Sequence, residues 1–534
     1  MRFRLSYSPR SICVLLYILC VAAISLTLAQ HVLSLHMPFG FVSADVSTMA
    51  RSFVRHGILK LGGVPINNND PLGNSPAVYI HWPPLLPILL SWLFRLFGES
   101  EATGNTLMIV VLFATAAVLY VIARHCLPAT GACLAVLFYL TLPVVIDYSQ
   151  VISQQALAIF FMLLTLLAFL RATSSGSPSR PWSVVACAAM CLALWSSWEP
   201  VWLPVSLVAV AAWRRNGSEL RLARLLCIVA VVALGVVALI YVIRAPEGFV
   251  DTMRTVGYRM GLSQTYSSAP LHRHARNAQI GFVRILHNLY KYYPAMLGLA
   301  GIAAVAWLVL TAVDRLASPS TSSAATVFAG LLGPWFIWYG TMWNHVGEHP
   351  FEMLLAAPGT AMAMAYGASA ILNSLQARGE RTFWRTTAIV VMVPILCLIP
   401  LASAVRQCVV RDQSRKYFGF LPAIKRNPSL SEPTWSVGYA NLIRFATPPS
   451  AIVFTPLEDA TPVFYSERHM IRNIANDAEL DQTLPLAQKA FPGAPFFLAL
   501  PVGTISSFPQ STAQSDQVAQ TLEAVVYRLN SGGY

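Results

Sequence analysis

LLCIVAVVALGVVALIYVI, Leu225–Ile243, carries no charged residue and no proline. It is long enough to cross a bilayer core of about 30 Å as a helix, which satisfies every backbone polar group internally. Comparable runs occur at 104–124, 130–147, 152–170, 183–197, 199–213, 295–313, 325–342, 351–373 and 387–405. A further apolar run, 11–30, follows Arg2, Arg4 and Arg10; no small-x-small cleavage site comes after it, so it is expected to stay as a first helix. The pattern predicts about eleven transmembrane helices in a polytopic α-helical membrane protein. Only 11% of the 534 residues are charged and 56% are hydrophobic, against about 25% charged in soluble domains. A soluble protein is excluded.

Charge in the short loops orients the chain. Arg124, Arg171, Arg180, Arg214, Arg215, Arg221, Arg224, Arg315, Arg378, Arg381 and Arg385 all fall on the side of the N-terminal arginines, while loops 148–151 and 343–350 carry no Lys or Arg. By the positive-inside rule that side is cytoplasmic. An odd helix count then places 31–103, 244–294 and the C-terminal segment outside a bacterial-type inner (plasma) membrane. Much of the net charge of +13 is therefore topological, and no nucleic-acid partner is expected. Two outer loops still hold cations on the translocated side. Arg51, Arg55, Lys60 and Arg95 lie in the first; Arg244, Arg254, Arg259, Arg273, Arg276, Arg284 and Lys291 lie in the second. Solvated loop charge accounts for any one of them, whereas an anionic ligand at the membrane surface competes as the reading of the group. The nine cysteines lie mostly inside apolar runs and imply no disulfide framework.

Residues 406–534 change in composition and form a second domain beside a transmembrane domain 1–405. Strand-like runs at 451–456, 470–474 and 496–501 alternate with helical stretches at 457–466, 477–490 and 515–530. A small extracytoplasmic α/β domain with a parallel sheet is the expectation. No glycine-rich phosphate loop is present in it.

The first outer loop reads FVSADVSTMARSFVRHGILKLGG at 41–63 and YIHWPPLLPILLSWLFRLFGESE at 79–101. Val46, Met49, Ala50, Phe53 and Val54 make one apolar helical face, suited to lying on the interface, with Arg51 and Arg55 opposite. The segment 84–97 is too short to span and reads as a second juxtamembrane helix, with His81 at its junction.

An acidic residue, Asp45, shortly after the first helix is followed by Ala50-Arg51 and Gly57 in an A-R-x-x-x-x-x-G segment. His81 precedes Pro83-Pro84-Leu85, and Leu96-Phe97-Gly98-x-Ser100-Glu101 ends the loop. With HVGEHPFEMLLAAPGTAMAMA at 345–365, this ordered set resembles the GT-C superfamily of membrane glycosyltransferases, in particular the protein O-mannosyltransferases and the lipid A aminoarabinose transferases.

The resemblance implies transfer of a sugar from a polyprenyl-phosphate donor to an acceptor (a glycan, a lipid or a protein) at the outer face. Asp45 takes the family's place for the general base, and a single displacement gives inversion. His81 stands where the family has a lysine and is expected to bind phosphate or sugar. Arg51, Arg55 and Lys291 are candidate contacts to anionic substrate groups. Glu348 and His349, with His345, are expected to contact substrate; a divalent metal there is not favoured, and no other cofactor is expected. Glu199, beside apolar helices in SSWEP, is placed facing a cavity. The expected partners are the lipid-linked donor, an unidentified acceptor and membrane lipids.

The chain departs from the family at three points. Many relatives have Asp-Glu where it has Asp45-Val46, the segment EATGNTL has no basic residue, and Gln154 and Gln155 stand where an acidic residue is common. A non-enzymatic envelope-assembly scaffold or a lipid-linked-glycan transporter is the rival reading. Transporters carry ionisable groups at mid-membrane, which these apolar runs nearly lack.

Overall fold

The computed structural model describes residues 21, 40–69, 78–148, 151–174, 178–262, 283–289, 293, 322–377, 433–457 and 459–529. The chain divides into two compact units. One is formed by Met1–Leu35, Asn105–Gln150 and Gln154–Val410, the other by His36–Gly104, Val151–Ser153 and Arg411–Tyr534.

The first unit is helical and membrane-embedded. Among the described residues three helices are long and apolar enough to cross a membrane: Glu101–Ala123, Gln154–Thr173 and Gly217–Arg244. On the last, Ile228, Val231, Val232 and Leu239 are exposed, which suits a face toward lipid. The helix Gln154–Thr173 packs on Arg180–Ser196, Gly217–Arg244 packs on both Arg180–Ser196 and Trp202–Trp213, and Ala357–Ala377 packs on Ala129–Thr141. The helix Ser322–Thr341 approaches its neighbours through glycines: a Cβ at Gly333 would collide with Ser206, and one at Gly330 with Leu166.

The expected span 130–147 is interrupted at Leu142, whose extended backbone separates Ala129–Thr141 from Pro143–Tyr148; Pro143 starts the second helix and cannot continue the first. The expected span 351–373 begins with a 3-10 segment, Pro350–Ala356, before the α-helix Ala357–Ala377. The expected spans 295–313 and 387–405, and 11–30 apart from Val21, lie outside the described residues.

The second unit joins segments far apart in sequence, His36–Gly104 and Arg411–Tyr534. Its sheet has strands β1 (Ile452–Phe454), β2 (His469–Ile471), β3 (Phe496–Pro501), β4 (Asp516–Gln520) and β5 (Ala524–Arg528), in the order β2-β1-β3-β5-β4. β1 runs parallel to β2 and β3, while β5 is antiparallel to both β3 and β4. The sheet is therefore mixed rather than parallel, and the helix expected at 515–530 is a pair of strands. The spacing of Val518, Leu522, Val525, Val526 and Leu529 mimics a helical stripe, yet Leu522 is 96% exposed and Val518 42% exposed. The β-branched and aromatic run Val525-Val526-Tyr527 favours a strand, and Ala524 to Tyr527 are buried on both faces of the sheet.

Residues 41–104 fold onto this sheet domain. The helix Phe41–His56 packs on Leu85–Phe97 and on Thr461–Ser466. Gly57 ends it in a left-handed conformation at φ +85°, which glycine adopts without Cβ strain. Arg95 donates to the Phe53 carbonyl at 2.9 Å, which also accepts the Gly57 N–H at 3.0 Å, so the last turn is tied to Leu85–Phe97. Asn68 donates to the Met470 carbonyl at 2.7 Å and accepts from its N–H at 3.0 Å, so its side-chain amide pairs with β2 as a neighbouring strand would. Asn69 donates to the Val463 carbonyl.

Candidate active site

The helix Phe41–His56 was expected to lie on the interface with one apolar face. Instead Ser47, Thr48 and Arg51 are buried along with Val46, Met49 and Phe53, so the helix is enclosed on its polar side too. Asp45 is 8% exposed, and its Oδ1 has no hydrogen-bond partner among the described residues. Burial raises its pKa to about 6, against the opposing attraction of Arg472 and a hydrogen bond from Asn67. A carboxylate near neutrality, with one oxygen uncommitted, is suited to accept a proton. The neighbouring Arg472 favours the ionised form that a base needs.

Arg51, two turns on, is 5% exposed and fully engaged. Its Nε donates to Glu99 Oε2 at 2.6 Å, its Nη1 donates to the Phe464 carbonyl at 2.7 Å, and the guanidinium lies 4.0 Å from the Phe464 ring centroid. These contacts lock the helix bearing Asp45 to Thr461–Ser466. Arg55 pairs with Glu467 Oε2 at 3.1 Å. His81 is half-buried, its ring tilted against Tyr79 at 5.4 Å between centroids.

Glu199 lies in the membrane unit, 2% exposed, in the 3-10 turn Glu199–Val201. Gln155, at the head of Gln154–Thr173, brings it together with Glu352. Its Nε2 lies 3.4 Å from Glu199 Oε1 and 2.9 Å from Glu352 Oε1. Trp338 Nε1 donates to Glu352 Oε2 at 3.0 Å, and His345 Nε2 lies 3.1 Å from Glu352 Oε1. His349 sits on His345 edge-on, 4.5 Å between centroids, and also faces Phe351. The Glu348 side chain and Lys291 lie outside the described residues. Among the described residues, no three His, Cys, Asp or Glu side chains are grouped to hold a metal ion.

Four partners were not found by sequence reasoning. Asn67 and Arg472 reach Asp45 from distant parts of the chain. Glu352 and Gln155 complete the Glu199 cluster. Glu352 had a readable signal: it is a lone carboxylate at the start of an apolar run.

The fold is shared with solved structures of ArnT and of an archaeal oligosaccharyltransferase. Residues 81–241 match the family described as dolichyl-phosphate-mannose-protein mannosyltransferase. The structure of ArnT from Cupriavidus metallidurans bound to undecaprenyl phosphate aligns over 96% of this chain and 98% of that one, with 14% identity and a TM-score of 0.60. The Archaeoglobus fulgidus oligosaccharyltransferase tethered to an acceptor peptide aligns over 97% of this chain and 76% of its own, at 11% identity and TM-score 0.59. The archaeal oligosaccharyltransferase AglB from the same organism, in complex with an inhibitory peptide and dolichol-phosphate, aligns with 12% identity and TM-score 0.58, over 97% of this chain and 76% of that one. No curated protein sequence matches the chain at a significant level.

Proposed function

We propose that the chain is an inverting glycosyltransferase that moves a sugar from a polyprenyl-phosphate donor to an acceptor at the outer face of the plasma membrane. The observation that carries this reading is Asp45, a buried carboxylate with an uncommitted oxygen and a pKa of about 6, at the family's position for the base. In the reaction the acceptor hydroxyl or amine loses its proton to Asp45 as its heteroatom bonds the anomeric carbon. The bond from that carbon to the phosphate oxygen breaks, and the polyprenyl phosphate leaves with the electron pair. One displacement inverts the anomeric centre. Asp45 lies beside Arg472 rather than a second carboxylate, so the missing Asp-Glu pair leaves the base in place. Structural relatives are solved with undecaprenyl phosphate and with dolichol-phosphate, which supports a lipid phosphate donor.

His81 and Arg55 remain contacts to donor or acceptor, as do Glu199, Lys291, Glu348 and His349. Arg51 acts differently from the sequence expectation: it positions the helix that carries Asp45. The test is transfer from a panel of labelled polyprenyl-phosphate sugars by the wild type and Asp45→Asn. Transfer from one donor by the wild type, lost in the variant, is the expected result. Undiminished transfer by the variant removes Asp45 as base, and no transfer from any donor returns the chain to a scaffold role.

A further inference from the structure

A pocket of about 410 Å³ opens within the second unit, lined by Arg55, Asn69, Arg444, Pro449, Glu467 and Arg468. Three arginines against one glutamate leave it strongly positive. Glu467 occupies it from inside: Arg55 Nη2 reaches Glu467 Oε2 at 3.1 Å, and Arg444 Nη2 reaches the other oxygen, Oε1, at 3.2 Å. Two guanidinium groups thus already hold two oxygens of one oxyanion. Glu467 does so from a left-handed backbone, φ +55°, at the end of Thr461–Ser466, where glycine is the usual residue. Glu467 is 33% exposed and Arg444 54% exposed, so neither charge is sealed away from a competitor.

Arg468 forms the fixed wall. Its guanidinium donates to Thr447 Oγ1 at 3.1 Å and to the carbonyls of Ser466, Arg444 and Thr447 at 3.2, 2.9 and 2.8 Å. It serves the backbone, yet its charge still faces the pocket. Burial, and after it the neighbouring Arg444, lower its pKa against the opposing attraction of Glu467.

We propose that this pocket binds a phosphate group of a small molecule or lipid headgroup, which displaces the Glu467 carboxylate from between Arg55 and Arg444. Arginine pairs are suited to hold phosphate oxygens through paired N–H donors. The volume falls in the range of small-ligand sites, roughly 300–1,000 Å³, and so admits more than a bare ion. Glu467 acts as an internal stand-in that keeps the arginines ordered and weak ligands out.

The experiment uses the full chain in phosphatidylcholine nanodiscs, titrated with glycerol 3-phosphate by calorimetry at low salt. Saturable binding is expected; Arg444→Ala weakens it about tenfold or more, and Glu467→Gln tightens it severalfold. Both side chains are at least one-third exposed, and thermal unfolding of each variant verifies its fold. Repeating the titration in nanodiscs containing phosphatidylglycerol separates the two sources. Reduced binding there assigns the group to a lipid headgroup, and unchanged binding assigns it to a soluble molecule. Absence of saturable binding overturns the proposal. So does an Arg444→Ala affinity within twofold of wild type, or weaker binding by Glu467→Gln.

Discussion

Asp45 and Glu352 are both enclosed carboxyl groups, yet their neighbours differ in kind. Glu352 is surrounded by donors: Gln155, Trp338 and His345 all point at its two oxygens, and Gln155 joins it to Glu199. Asp45 has one neighbouring arginine, one amide and an oxygen with no hydrogen-bond partner among the described residues. A carboxyl group whose lone pairs are all taken holds structure together, because removing it orphans several buried donors. One left short of partners is held at a cost and is available for chemistry. The contrast supports the proposed role of Asp45 in proton transfer, whereas Glu352 ties together helices of its own unit.

The largest effect expected is on Asp45→Asn. Loss of the general base lowers transfer by about 10²–10⁴-fold. The same substitution stabilises the fold, and the sign follows from linkage. The folded pKa of about 6 lies above the ordinary 3.8, so the contribution to stability is lost as pH rises from 3.8 through about 6. A neutral Asn removes that penalty at pH 7, a gain of at most about 3 kcal/mol, visible as a raised Tm. A variant that is both inactive and less stable breaks the comparison.

Arg51→Ala is next. It leaves Glu99 and the Phe464 carbonyl without their donor and is expected to cost about 3 kcal/mol, read by chemical or thermal unfolding in detergent. Glu352→Ala is expected to destabilise by about 1–3 kcal/mol, while transfer per folded molecule falls less than about tenfold. A loss of transfer as deep as that of Asp45→Asn would make both carboxyl groups catalytic. The smallest effect is the pH dependence of the wild type. Asp45 must be ionised to accept a proton, so transfer rises through pH 6 and levels above it, with a rate at pH 5 roughly one-tenth of that at pH 7. A flat profile over that range separates Asp45 from the proton transfer.

What the sequence revealed was local. Apolar run length identified the membrane helices Gln154–Thr173 and Gly217–Arg244, and the helical spacing of Val46, Met49 and Phe53 placed the helix Phe41–His56. Asp45 was legible from its order relative to Arg51, His81 and the double proline. Its environment was not, because Arg472 lies more than 400 residues away and no periodicity links them. For the same reason Arg51 and Arg55 read as free cations, although Glu99 and Glu467 pair with them. The C-terminal strands β4 and β5 were hidden by an accidental helical spacing that only burial resolves: Leu522 belongs to that stripe and is exposed, while Val525 and Val526 are buried.

Arg51 and the Phe464 carbonyl, with Asn68 and the backbone of Met470, fasten two segments about 400 residues apart. A ribosome adding about 5–20 residues per second needs roughly 20–80 s to cover the 413 residues between Arg51 and Phe464. Throughout that interval the helix bearing Asp45 has left the ribosome without the surface that encloses it. The nascent protein therefore carries Asp45 before it can bury it, and the raised proton affinity of that carboxyl is acquired only after the segment bearing Arg472 has been made.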